Sequence, residues 1–184
     1  MQGLIDRISR TRWNYWLGFG VDAFAIVLLM VIALSQHDFS VLKIIESFLA
    51  GFIFFTFFEY LVHARLFHSK PRKLTRSFVV GHWGHHKNPK GYDSLPFFFA
   101  SVLAIVLTII FSQFFLLAGV SSFFSGFLSG YIFYGFFHFL IHHVEWTGGY
   151  MGYMQKYHQR HHQNHQKNMG VTSPVWDMIF QTRL

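Results

Sequence analysis

Four stretches of this chain carry apolar side chains in near-continuous blocks rather than along one face of a helix or strand. They run roughly over 15–35 (YWLGFGVDAFAIVLLMVIALS), 41–62 (VLKIIESFLAGFIFFTFFEYLV), 95–118 (LPFFFASVLAIVLTIIFSQFFLLA) and 121–143 (SSFFSGFLSGYIFYGFFHFLIHH). A hydrocarbon core about 30 Å thick needs about 20 mostly apolar helical residues, so each block predicts a transmembrane helix. From Ser94 to Val144 there is no Asp, Glu, Lys or Arg. That run is too long for one span, and Gly119-Val120-Ser121-Ser122 is the predicted point of reversal. The polar segments 63–94 and 144–184 then form a helical cap. The expected fold class is all-α and integral to the membrane: four transmembrane helices and a cap, one domain over residues 1–184. Ala33-Leu34-Ser35 loosely resembles a signal-peptide cleavage site. The apolar run before it exceeds the about 7–15 residues of a signal core, which predicts a retained anchor.

Composition narrows the chemistry. Of 184 residues, 52% are hydrophobic and 12% charged, which excludes a disordered chain. With no cysteine there is no disulfide scaffold, iron–sulfur cluster, thiolate zinc site or cysteine nucleophile. A net charge of +7 suggests nucleic acid until the charges are placed. Four spans put both termini and the 63–94 loop on one side, together with fourteen of the fifteen basic residues, all but Lys43. By the positive-inside rule that side is cytoplasmic, and no nucleic-acid partner is expected. Trp13, Tyr15 and Trp16 begin an interfacial aromatic belt. Ser122, Gly126 and Gly130 form a small-residue face for close helix packing. Asp22 and Glu46 fall inside spans, where ionisable groups are costly; Glu46 lies near the outer interface.

The thirteen histidines are the candidate chemistry. They read His63-x4-His68, His82-x2-His85-His86, His138-x3-His142-His143 and His158-x2-His161-His162, followed by His165, with His37 apart. Helical positions i, i+3 and i+4 share a face, so His82, His85 and His86 can point together, as can His158, His161 and His162, and His138 with His142. His63 and His68 are about 140° apart on an ideal helix. They reach one site only if the helix ends or distorts between them, and Pro71 supplies an ending. All these groups belong to the predicted cytoplasmic layer. Imidazole suits zinc, copper, iron and nickel. Ten such residues exceed the needs of one ion and suggest two, with four or five nitrogens each. Glu59, one turn before His63, and Asp177 are candidates to orient the ligands.

EYLVHARLFH at 59–68, GHWGHHKNP at 81–89, HFLIHH at 138–143, YHQRHH at 157–162 and NMGVTSPVWDMIFQT at 168–182 together resemble the fatty acid hydroxylase and sterol desaturase superfamily of membrane di-iron enzymes. The fatty acid 2-hydroxylase branch is the most similar, over roughly 50–184. The resemblance implies that His63, His68, His82, His85, His86, His138, His142, His158, His161 and His162 ligate two iron ions. Zinc can replace these in purified protein. It also implies O₂-dependent hydroxylation of a membrane lipid. A site near the head-group layer favours oxidation of an acyl chain near its carbonyl, with the Phe-rich stretches 52–58 and 133–139 as candidate groove lining. His143 and His165 fall where the family pattern needs no ligand, and His37 lies on the outer side. Gln181 stands where the family tail often has glycine. The cytochrome b5 domain common in eukaryotic 2-hydroxylases has no room here, which implies a separate donor such as cytochrome b5 or ferredoxin. The expected membrane is the plasma membrane of a bacterium or the endoplasmic reticulum of a eukaryote. Related alternatives are carotenoid ring hydroxylation and sterol desaturation. The alternative of another class is a metal transporter or metal-binding protein. Transporter sites lie near the midplane, where these histidines do not; a haem cytochrome would leave most of them unused.

Overall fold

The computed structural model describes residues 7–37 and 39–184. Its described elements are helical: α1 (Arg12–Leu34), α2 (Val41–Val62), a π-helical turn (His63–Phe67), α3 (Arg76–Lys87), α4 (Phe99–Phe111), α5 (Leu117–His143), α6 (Gly149–Gln163) and α7 (Val175–Ile179). Among the described residues, three runs are long and apolar enough to cross a membrane: Arg12–Leu34, Val41–Phe67 and Leu117–His143. The chain divides into two compact units. One comprises the described part of 3–55 together with 94–133, the other 56–93 together with 134–184.

The apolar unit contains α1, α4 and the N-terminal parts of α2 and α5. Asn14 of α1 donates to Ser94 Oγ (2.8 Å) and the Leu95 carbonyl (2.7 Å) and accepts from the Phe97 amide (2.9 Å). Eight residues on, Asp22 accepts from Ser101 Oγ of α4, and Ala25 and Leu29 pack with Ala104. Residue numbers rise together on both helices, so α1 and α4 run parallel. The Ser101 bond gives buried Asp22 its partner, which the sequence did not reveal. Glu46 is exposed.

The helices α2 and α5 are also parallel and approach even more closely. Ser122 Oγ donates to the Ile44 carbonyl at 2.6 Å. A Cβ on Gly51 would lie 1.9 Å from the Phe123 carbonyl oxygen, and one on Gly126 would lie 1.9 Å from that of Phe48. A Cβ on Gly130 would meet the Phe55 side chain at 2.7 Å. Small residues let backbones touch where apolar attraction between helices is weak in lipid. The expected Ser122–Gly126–Gly130 face is therefore the α2–α5 contact.

Two expectations about the third block change. Its helix covers only 13 residues, about 20 Å at 1.5 Å per residue. Pro96 sits at its start, where the Phe99 amide bonds the Pro96 carbonyl. At its end Ser112 Oγ and Gln113 Nε2 both take the Ile109 carbonyl, a competition with the helix ladder that favours termination. The chain therefore reverses at 112–116, not at 119–122. Residues 119–122 lie inside α5, where Val120, Ser121 and Ser122 are buried. The small side chains predicted to make a turn instead serve packing.

Gly126→Val should lower the thermal midpoint in detergent, consistent with an overpacking cost of about 1–3 kcal/mol. Gly20→Ala, whose Cβ meets nothing within 4 Å, should leave it unchanged or higher. Equal midpoints for the two variants would contradict the close α2–α5 approach.

Candidate metal centre

The second unit gathers every histidine except His37. The π-helical turn at His63–Phe67 is the distortion that the five-residue spacing demanded. Its wider turn brings residues i and i+5 back toward one side, and the His63 and His68 ring centroids lie 5.1 Å apart. Helices α3 and α6 carry the two HxxHH patterns.

Potential ligand atoms form two groups, each within 4.8 Å. The first holds His63, His68, His82, His86 and His161; the second holds His85, His138, His142 and His158. His162 adjoins the second group, its Nε2 lying 3.1 Å from that of His158. The histidines expected to point together are thus divided between neighbouring groups. Helix geometry explains the division. At 100° per residue, i and i+4 lie about 40° apart, while i+3 and i+4 diverge by about 100°. His82 and His86 therefore face the first group and His85 the second; on α6, His158 and His162 face the second and His161 the first.

The nitrogens converge beyond what protons can satisfy. His82 Nε2 lies 3.2 Å from His63 Nε2, 2.9 Å from His68 Nε2 and 2.9 Å from His86 Nε2. His68 Nε2 is 3.1 Å from His161 Nε2. In the second group, His138 Nε2 lies 3.0 Å from His158 Nε2 and 3.1 Å from His142 Nε2. One imidazole N–H donates one hydrogen bond, so His82 cannot bridge three other nitrogens. Nitrogens at metal-bond lengths of about 2.0–2.1 Å are about 3 Å apart when their bonds meet at right angles. Buried His85 Nε2 has no hydrogen-bond partner among the described residues. The donor set fits imidazole-binding metals such as iron or zinc.

Backbone carbonyls set two tautomers. His63 Nδ1 bonds the Met169 carbonyl, and His161 Nδ1 bonds that of Lys167 at 2.8 Å. A carbonyl only accepts, so each Nδ1 carries the proton and each Nε2 lone pair faces the group. Neither carboxylate candidate touches a histidine. Glu59 accepts from the Val171 amide (2.7 Å), the Thr172 amide (3.3 Å) and Thr172 Oγ1 (2.6 Å). Asp177 accepts from the amides of Met169 (2.8 Å) and Gly170 (2.7 Å) and from Thr182 Oγ1 (2.6 Å). Together they hold the 169–172 segment, whose Met169 carbonyl meets His63 Nδ1.

The sequence reading missed Met169 and Lys167 because carbonyl acceptors have no residue signature. It also missed Asn168, which is fully buried with φ 55°. Asn168 bonds the Tyr157 carbonyl, the Leu184 amide and the Thr182 carbonyl; an asparagine amid a histidine tail was the available cue. Gln181 also has a left-handed φ of 57°, which accounts for a glycine preference there. His143 Nδ1 bonds the Phe139 carbonyl at 3.0 Å and its ring stacks on Phe139. His143 and His165 belong to neither group; His165 packs 4.5 Å from the His86 ring.

The chain belongs to the fatty acid hydroxylase family, whose sequence model matches residues 48–182. Its structure is similar to that of the hydroxylase domain visible in full-length scs7p, with a TM-score of 0.82 and 26% identity, covering 99% of this chain and 70% of that one. A sequence search of curated proteins gives no match. Family membership supports an oxidoreductase, and membrane-length helices with histidine clusters accord with a membrane, metal-binding hydroxylase.

Burial, then repulsion from neighbouring imidazoles, pushes His68 down to about 3 and His85 and His86 to about 2, from an ordinary 6.5. Burial likewise brings His161 and His162 to about 4 and displaces His82 and His158 further. Between about pH 4 and 6.5 the unfolded chain therefore binds protons that the folded chain refuses, so stability falls as pH falls. Metal-free protein should show a steadily decreasing thermal midpoint from pH 7 to 4.5, and a flat profile would contradict the buried neutral cluster. Asp177→Ala should cost about 2 kcal/mol or more by stranding buried N–H groups, and should weaken metal retention against a chelator at least about tenfold. Wild-type metal content in that variant would rule out its positioning role.

Proposed function

We propose that the protein is an O₂-dependent di-iron lipid hydroxylase acting on a fatty acyl chain near its carbonyl. The observation that carries this reading is the pair of adjacent, partly buried imidazole groups in a fatty acid hydroxylase family member. His63, His68, His82, His86 and His161 would hold one ion, and His85, His138, His142, His158 and His162 the other. When bound, the iron pair would supply reductive activation of O₂, converting a substrate C–H, two electrons and two protons into C–OH and water. The protein's own part is to keep the imidazoles neutral by burial, to aim two of them through the Met169 and Lys167 carbonyls, and to exclude bulk water.

The topology is part of this reading. Parallel pairing of α1 with α4 and of α2 with α5 suits four alternating spans. The apolar residues on either side of α4, including exposed Phe114, Phe115 and Leu116 of the reversing segment, would lie in the hydrocarbon and complete the crossing that the 13-residue helix leaves short. Both termini and the histidines other than His37 would then face the basic, cytoplasmic side. His138 and His142 occupy the last two turns of α5 and His63 follows α2, so the oxidised carbon lies toward the lipid's polar end. That depth supports C2-type hydroxylation over attack at a chain terminus.

Cells expressing the chain should contain a lipid class one oxygen heavier than in controls, and His161→Ala should lose at least nine-tenths of that product. Lipid extracts compared by mass spectrometry, with bound metal counted per chain, test this. No new lipid together with less than one metal per chain would defeat the oxygenase reading; products two hydrogens lighter would replace hydroxylation by desaturation.

A further inference from the structure

The face of α3 that turns away from the histidine groups carries Arg76, Val80, Trp83 and Lys87, which fall within about 60° of one another at 100° per residue. All four are exposed, Val80 at 39% and Trp83 at 36%. Arg76 and Lys87 make no ion pair, and the Trp83 indole N–H bonds no acceptor, among the described residues. Lys70, Arg72, Lys73 and Leu74, just before the helix, are exposed as well, Leu74 at 89%. From Tyr60 to Tyr92 the chain holds seven lysines and arginines and no carboxylate.

Trp83 also reaches inward. Its ring lies 5.6 Å from that of His68 and 5.5 Å from that of His86, centroid to centroid. His165 stands edge-on at 4.9 Å and itself contacts the His86 ring. Of the residues on this stripe, Trp83 thus joins solvent to two imidazoles of the first group through direct ring contact.

We infer that the Arg76–Val80–Trp83–Lys87 stripe is the docking and electron-delivery port for an acidic one-electron carrier protein. This inference rests on the di-iron reading above. A large exposed aromatic ringed by cations has the composition of an interface centre. Unpaired positive charge selects a negative partner and speeds its encounter. An anionic lipid surface would meet the charge but would make no use of the Trp83 contacts with His68 and His86. Each docking event removes one electron from the reduced carrier and adds it to the iron pair. Two events supply the two electrons consumed with O₂ and two protons per hydroxylation.

The full-length chain in nanodiscs, iron-loaded and metal-free, would be titrated with cytochrome b5 and with a plant-type ferredoxin. The Arg76→Glu/Lys87→Glu variant should bind at least one of these carriers ten times more weakly at low salt, with or without iron, and the difference should vanish in high salt. Trp83→Leu should keep its iron and its rate of reduction by dithionite, yet accept electrons from saturating carrier at least ten times more slowly, read anaerobically from the carrier's absorbance. Binding of neither carrier to wild type, unchanged affinity in the charge variant, an unchanged transfer rate in Trp83→Leu, or loss of its iron would each overturn the port. Lost affinity of the charge variant for anionic vesicles, with carrier binding intact, would assign the stripe to a lipid surface instead. Wild-type protein without dithionite-reducible iron would overturn the di-iron reading, and the port with it.

Discussion

Imidazole nitrogens held about 3 Å apart in a partly buried space are the constraint on which the architecture of the histidine-bearing unit depends. Without a cation their lone pairs repel, and burial keeps protons from relieving the repulsion. The surroundings must therefore force the convergence. The π-helical turn brings His63 and His68 to one side. The Met169 and Lys167 carbonyls turn His63 and His161 inward. Glu59 and Asp177 fix the 169–172 backbone, and the Tyr60 hydroxyl, 3.0 Å from Thr182 Oγ1, ties the chain end to α2. Each device spends conformational freedom to hold nitrogens where a metal would be stabilising.

The two HxxHH helices show how a short chain can furnish two adjacent groups of imidazoles. Because neighbouring residues on a helix diverge by about 100°, the paired histidines at positions i+3 and i+4 cannot serve the same centre easily. Here they serve adjacent ones. α3 gives two rings to the first group and one to the second, and α6 does the reverse. Rotation of either helix would disturb both groups at once. That coupling makes a rigid support necessary, and the hydrogen-bonded tail from Asn168 to Leu184 provides it for α6.

Much of this was legible in the sequence, for identifiable reasons. Blocks of apolar residues announce helices because lipid leaves the backbone few alternatives, and histidine spacing announces a metal layer because imidazole has few other reasons to cluster. The length of α4 was not legible, since hydropathy does not register where Ser112 and Gln113 compete for helix carbonyls. Nor was the role of 119–122: glycine and serine serve equally for turns and for close packing, and only the Ile44 and Phe48 carbonyls opposite α5 decide between them. The division of each HxxHH between two groups follows from angles available in the sequence, but it becomes visible only when four segments are brought together.

The absence of cysteine and the position of the carboxylates bear on one point of chemistry. All ten proposed ligands are neutral, and the carboxylates Glu59 and Asp177 already accept backbone and hydroxyl hydrogen bonds. On the di-iron reading, the ions would keep more of their positive charge than in a carboxylate-bridged site. A strongly positive centre in a water-poor space favours binding of small anions and of reduced oxygen. Each iron would change oxidation state by one electron at a time, so such a centre would draw on a one-electron donor, and on that reading the Trp83 ring resting against His68 and His86 has chemical significance beyond packing.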